Sequence, residues 1–196
     1  MPVLPIYLYG QPVLRKKAKP VRRATAELRA LVEDMFETMD TAGGIGLAAT
    51  QVGSLDRVIV VDASDMEETH HLPEGHPGHG PIAMVNPEVI SAEGAWVMEE
   101  GCLSIPEIRD EVERPERIVV RYRDTDLNEH EIEAERILAR VILHEVDHLD
   151  GVLFIDRLSG LKRKLLRGRL NKIARGEAET GYPVVAGSPV QSHARG

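Results

Sequence analysis

His144-Glu145-Val146-Asp147-His148 sets two imidazoles four positions apart with a carboxylate beside the first. On a helix, residues four apart lie one turn apart on the same face. The two rings can then hold one metal ion between them, and Glu145 can reach a water on that ion without ligating it. Such a set suits metal-assisted hydrolysis: the cation acidifies the water and the glutamate takes its proton. A satisfied pair of histidines, in the core or on the surface, would spell the same five letters. The flanking residues favour chemistry. At about 100° per residue, Ile137, Val141, His144 and His148 share one stripe, and Leu138, Ile142, Glu145 and Leu149 form the next. Arg140, Asp147 and Asp150 fall on the other side, where Asp147 reads as solvated or salt-bridged. An ionised glutamate on the inward half, beside two imidazoles, is costly without a compensating charge. A divalent cation supplies that charge.

Two histidines make a poor site, so a third ligand is required. The segment after His148 reads Leu-Asp-Gly-Val-Leu-Phe-Ile-Asp, with neither a following ligand helix nor a third nearby histidine. The sole cysteine, Cys102, is the natural candidate. It sits among turn-capable residues in Glu100-Gly101-Cys102-Leu103-Ser104, and a thiol near a divalent metal deprotonates readily. The alternative for Cys102 is a small buried apolar residue. A third segment, Gly44-Ile45-Gly46-Leu47-Ala48-Ala49-Thr50-Gln51, lacks the Gly-Lys-Ser/Thr ending of a phosphate loop. Its small residues allow close backbone approach. Gln51 offers an amide donor to a developing oxyanion, or else decorates a tight turn.

These groups need a scaffold. The chain has 196 residues, enough for one domain with a real core. Aromatics make up 4%, so that core rests on aliphatic residues. Thr25 caps an expected helix reaching Thr41, with Leu28, Leu31, Val32, Met35, Phe36 and Met39 at helical spacing. Strands are expected at 57–62, 82–90, 95–98, 118–123 and 130–134. A second helix is expected at 135–150, stopped by Gly151, and a third at 159–175. Residues 1–175 form the expected domain, and the Gly/Pro/Ser-rich 176–196 an expected mobile tail. The stretch 63–81 reads as an inserted surface loop; its His70, His71, His76 and His79 form a second metal candidate beside the plainer solvated loop.

Charge and composition exclude other classes. A net charge of −8 argues against a DNA-binding protein. One cysteine excludes an internal disulfide. The opening residues carry no basic leader, and no apolar run reaches the roughly 18 residues of a membrane helix. Together these point to the cytoplasm.

Taken in order, Gly44–Gln51, Glu100–Ser104 and His144–His148 resemble the three signature motifs of the peptide deformylase family. The opening Pro5-Ile-Tyr-Leu-Tyr-Gly-Gln-Pro-Val-Leu-Arg resembles that family's N-terminus, and the likeness covers about residues 4–175. The resemblance implies an α+β fold, with antiparallel β-sheets around a central metal-binding helix. It implies that Cys102, His144 and His148 ligate one divalent ion, Fe²⁺ first, with Ni²⁺, Co²⁺ or Zn²⁺ as alternatives. A metal-bound water would attack the formyl carbon of an N-formyl-methionyl nascent peptide, with Glu145 as general base and then general acid. The Gln51 side chain and the Leu103 backbone N–H would meet the oxyanion. Thr50 stands where many members carry proline, a change expected to alter loop stiffness more than chemistry.

A methionine side chain needs an apolar pocket. Ile45, Gly46, Ile137, Val141 and Met98 are its candidate walls, with ordinary core packing as the alternative. The third helix carries Lys162, Arg163, Lys164, Arg167, Arg169, Lys172 and Arg175. Some bacterial members dock on the ribosome through a C-terminal helix, so ribosomal RNA is a candidate partner; the other reading is a solvated surface. Two rivals stand: a generic H-E-x-x-H endopeptidase with a third ligand other than Cys102, and a non-enzymatic module whose metal has a closed shell.

Overall fold

The computed structural model describes residues 2–69 and 72–187. In chain order its elements are β1 (Ile6–Tyr7), α1 (Ala26–Thr41), β2 (Gly46–Ala48), β3 (Val58–Val61), β4 (Ile82–Glu93), β5 (Trp96–Cys102), β6 (Ile105–Arg114), β7 (Arg117–Arg123), β8 (Glu129–Glu135), α2 (Arg136–Leu149), α3 (Gly160–Ala174) and β9 (Val184–Val185). Short 3-10 turns lie between several of them.

Five strands form one antiparallel sheet in the order β2-β3-β4-β7-β8. Helices cover both of its faces, and β3 shows how. Its four residues Val-Ile-Val-Val are fully buried, the pattern of a strand with core on each side. Val58 and Val60 pack with Leu28, Val32, Met35 and Met39 of α1. Ile59 and Val61 pack with Ile137, Leu138, Val141 and Ile142 of α2. The Thr25 hydroxyl accepts a hydrogen bond from the Leu28 amide, capping α1 as the sequence suggests.

The β5-β6 hairpin makes a separate two-stranded sheet. It packs a third apolar cluster, with Ile105, Ile108 and Val112 against Leu153, Phe154, Ile155 and the inner residues Leu170 and Ile173 of α3. α2 therefore lies between the five-stranded sheet and the hairpin. The α+β arrangement, with antiparallel sheets around a central helix, matches expectation.

Two stretches differ from the sequence reading. The expected tail folds back: Val184–Val185 pair in parallel with Ile6–Tyr7, and Gly187 lies close against Ala174. The backbone bonds Ile6 N–H to Pro183 O and Leu8 N–H to Val185 O, each 2.9 Å, hold it there. Residues 188–196 lie outside the described residues. The inserted 63–81 stretch is not merely solvated. Met66 and Leu72 pack on the α2 core, and Thr69 is buried with its hydroxyl donating to the Met66 and Ala63 carbonyls. No helix among the described residues is long and apolar enough to cross a membrane.

Candidate metal centre and cleft

α2 begins where the chain leaves β8, with Arg136 at φ 51 and its N–H donating to Glu116 O. It ends before Gly151, which has φ 76 and packs so close to the chain that a Cβ there would lie 2.7 Å from the Arg15 carbonyl oxygen. Between those ends His144, Glu145 and His148 face inward, all buried. Cys102 arrives from the end of β5. Its Sγ lies 3.2 Å from His148 Nε2, and ligating atoms of Cys102, His144 and His148 fall within 4.8 Å of one another. Among the described residues this is the one such cluster of three. His76 and His79 instead bond backbone carbonyls, of Glu133 and of Leu72 and Pro73, while His70 and His71 lie outside the described residues.

Each nearby group is held. His144 Nδ1 bonds Glu100 Oε2 at 3.0 Å, leaving its other ring nitrogen for the cluster. Glu100 also accepts from Arg114 (2.5 and 2.9 Å) and from Arg140 (2.5 Å), all buried. Arg114 reaches on to Asp147, which Arg157 also grips. Burial opposes ionisation of Glu100, yet its bonds with His144 and Arg114 hold it down to about 2. Burial likewise works against protonation of His144, but its bonds with Cys102 and Glu100 carry it up to about 10 in the metal-free protein. Burial and the neighbouring His144 push His148 down.

Glu145 is different. Its Oε2 is buried with no hydrogen-bond partner, and burial raises its carboxyl to about 7. A base poised near neutrality suits proton transfer. Gly46 makes room for it: a Cβ there would meet Glu145 Oε1 at 2.6 Å and Val141 Cγ1 at 2.7 Å. Gln51, also buried, has its carbonyl oxygen fixed by the Ala48 N–H at 2.8 Å. Its amide nitrogen donates to Ser104 Oγ at 3.2 Å and lies 3.8 Å from Cys102 Sγ. Thr50, buried beside it, donates its hydroxyl to His148 O at 3.1 Å, so this position ties the loop to α2.

These residues line a cleft of about 630 Å³. Ile45, Gly46, Met98, Ile137 and Val141 all lie on its wall, as do Gln51, Cys102, Leu103, His144 and Glu145. His148 sits behind, 1% exposed. Sequence reasoning missed three supports. Glu100 stood in a quoted motif without a role. Arg140 was placed on the solvated side of α2, but the β5-β6 hairpin covers that side and Arg140 is buried against Trp96 and Glu100. Nothing in the sequence marks Arg114. The tail residues Glu179–Tyr182 were also missed as part of the wall.

A family model described as polypeptide deformylase matches residues 3–164. The chain belongs to this family. The peptide deformylase of Salinibacter ruber is 49% identical over 185 residues, spanning 93% of this chain and 94% of that one. The peptide deformylase of Chlorobium phaeobacteroides is 46% identical over 182 residues, covering 93% and 95%. The crystal structure of the Ehrlichia chaffeensis enzyme superimposes with a TM-score of 0.81 at 36% identity, covering 90% of this chain and 99% of the other. The chain is thus a hydrolase that removes the N-formyl group from nascent peptides in a metal-dependent reaction.

Proposed function

We propose that Cys102, His144 and His148 hold the metal, and that Glu145, Gln51 and the Leu103 N–H perform deformylation around it. The observation that carries this reading is the meeting of one thiol and two imidazoles, from segments about forty residues apart, next to the unpartnered Glu145 Oε2. One sulfur and two nitrogens suit a borderline first-row divalent ion, and the unpaired buried carboxylate oxygen lacks the positive charge such an ion brings. Fe²⁺ is the proposed ion; its choice over Ni²⁺, Co²⁺ or Zn²⁺ rests on the family resemblance. When bound, the ion acidifies water and polarises a carbonyl oxygen.

Glu145 takes the water's proton as the water oxygen bonds the formyl carbon. Negative charge gathers on the formyl oxygen, where the Gln51 amide and the Leu103 N–H donate to it. The carbon–nitrogen bond then breaks, Glu145 passes its proton to the departing amine, and formate is released. Ile45, Gly46, Met98, Ile137 and Val141 form the wall that takes the methionine side chain.

The test is formate release from formyl-Met-Ala after anaerobic Fe²⁺ loading, with and without Cys102→Ser. Loss of both bound metal and turnover in the variant supports the site; full activity without the sulfur ends it. Endopeptidase activity in place of formate release would favour the generic protease. Because the substrate is a nascent chain, we place the reaction in the cytoplasm. Ribosome contact through α3 is the finer proposal, supported by exposed Lys164, Arg167 and Lys172. Lys162 is committed to Asp110 and Arg169 to the Glu107 carbonyl. Salt-sensitive cosedimentation with ribosomes supports that contact, and its absence removes it.

A further inference from the structure

Leu103 and Ser104 form the two-residue turn between β5 and β6. The hairpin does not lock this turn by itself. Its ladder is regular from Trp96–Arg114 to Gly101–Arg109 and then jumps to Cys102–Ile105, leaving residues 106–108 unpaired. Beyond that one flanking pair, three bonds from outside the hairpin hold the tip. Tyr9 N–H donates to Ser104 O at 2.8 Å, and Gln51 donates to Ser104 Oγ. The third comes from the tail, where the Tyr182 hydroxyl donates to Leu103 O at 2.8 Å across 79 positions.

We propose that Tyr182 is a positioning residue for deformylation: its hydroxyl holds the Leu103 carbonyl so that the Leu103 N–H stays aimed at the substrate oxyanion. This rests on the role given to Leu103 above. Two of the three bonds fix Ser104, and the one from Tyr182 fixes residue 103. The Leu103 N–H and C=O flank one Cα, and each residue has two soft dihedrals. Pinning the carbonyl restricts the swing that would turn the N–H away. Tyr182 is itself braced on both sides. Thr180 Oγ1 donates to Tyr182 O at 3.0 Å, and the next residue, Pro183, accepts from Ile6 N–H where β9 joins β1. The phenol also lines the cleft. A ring acting only as wall needs no hydroxyl, and phenylalanine would serve equally.

Tyr182→Phe in the metal-loaded full chain separates these roles. The expected result is a kcat lower by roughly tenfold, a fraction of the loss when an oxyanion donor is removed outright. KM should stay within about twofold, with metal content unchanged and the melting temperature lower by no more than about 2–4 °C, the worth of one hydrogen bond. Converting the Cys102–Leu103 amide to an ester, by incorporating the α-hydroxy analogue of leucine at 103, tests the underlying donor separately. A large kcat loss in the ester with parental kcat in Tyr182→Phe overturns the inference alone. Parental turnover in the ester overturns the donor role and the inference with it. Loss of metal in Tyr182→Phe also overturns it, because the hydroxyl would then be supporting Cys102 as a ligand.

Discussion

The two walls of the cleft are built by opposite rules. One is a single helix, in which 3.6-residue periodicity sets where Ile137, Val141, His144 and Glu145 point. The other is assembled from distant pieces: the glycine-rich loop, the β5-β6 turn and the returning tail, joined by bonds such as Gln51–Ser104 and Tyr182–Leu103. A local rule places the proposed proton-transfer group, and long-range pairing places the proposed oxyanion donors. The two walls should therefore fail in different ways.

The sharpest test strikes the helix wall. Glu145→Ala should keep its metal yet lose roughly a thousandfold in formate release, within the range for a general base. An active variant would take the base away from α2. Next is the charge network joining the walls. Arg114 is 2% exposed and neutralises Glu100, so Arg114→Met should cost about 3–5 kcal/mol. In a chain of this length that lowers the melting temperature by roughly 10 °C; an unchanged melting curve would show that Arg140 alone suffices for Glu100. On the assembled wall, Gln51→Leu should lower kcat roughly a hundredfold with little change in stability, and parental kcat would remove Gln51 from the oxyanion site. Thr50→Val should cost only about 1 kcal/mol in denaturant unfolding, the worth of one buried hydrogen bond.

A last effect, confined to alkaline pH, is a pH dependence of the tail. Burial, and then the charge of Cys102, push the Tyr182 phenol up to about 12 from its ordinary 10.0. The folded value lies above the free one, so the contribution is whole below pH 10 and is lost as pH rises toward 12. Unfolding titrations should show this extra alkaline loss in the parent and not in Tyr182→Phe. Equal slopes would mean that the phenol ionises freely in the folded protein.

The same contrast explains what the sequence revealed. The helix wall was legible because polarity and period agree along α2, down to its stop at Gly151. The clustering of Cys102, His144 and His148 was legible through motif spacing. β6 was not. Its buried Ile105, Ile108 and Val112 recur at three and four, the spacing of a helix, because Pro106 and a left-handed Glu107 (φ 62) interrupt the two-residue alternation. The tail was obscured by its Gly/Pro-rich composition, since a two-residue strand carries no periodic signal. Arg140 was misplaced because polarity alone assigns a helix face to water, whereas here a hairpin covers that face with partners for the charge.

β3 carries a consequence for how the molecule comes apart. Alternate residues of its four-residue span belong to opposite apolar layers, so releasing either helix exposes two apolar side chains of the strand on which the other helix also rests. Heating should therefore melt α1 and α2 in one cooperative transition, seen alike by calorimetry and circular dichroism.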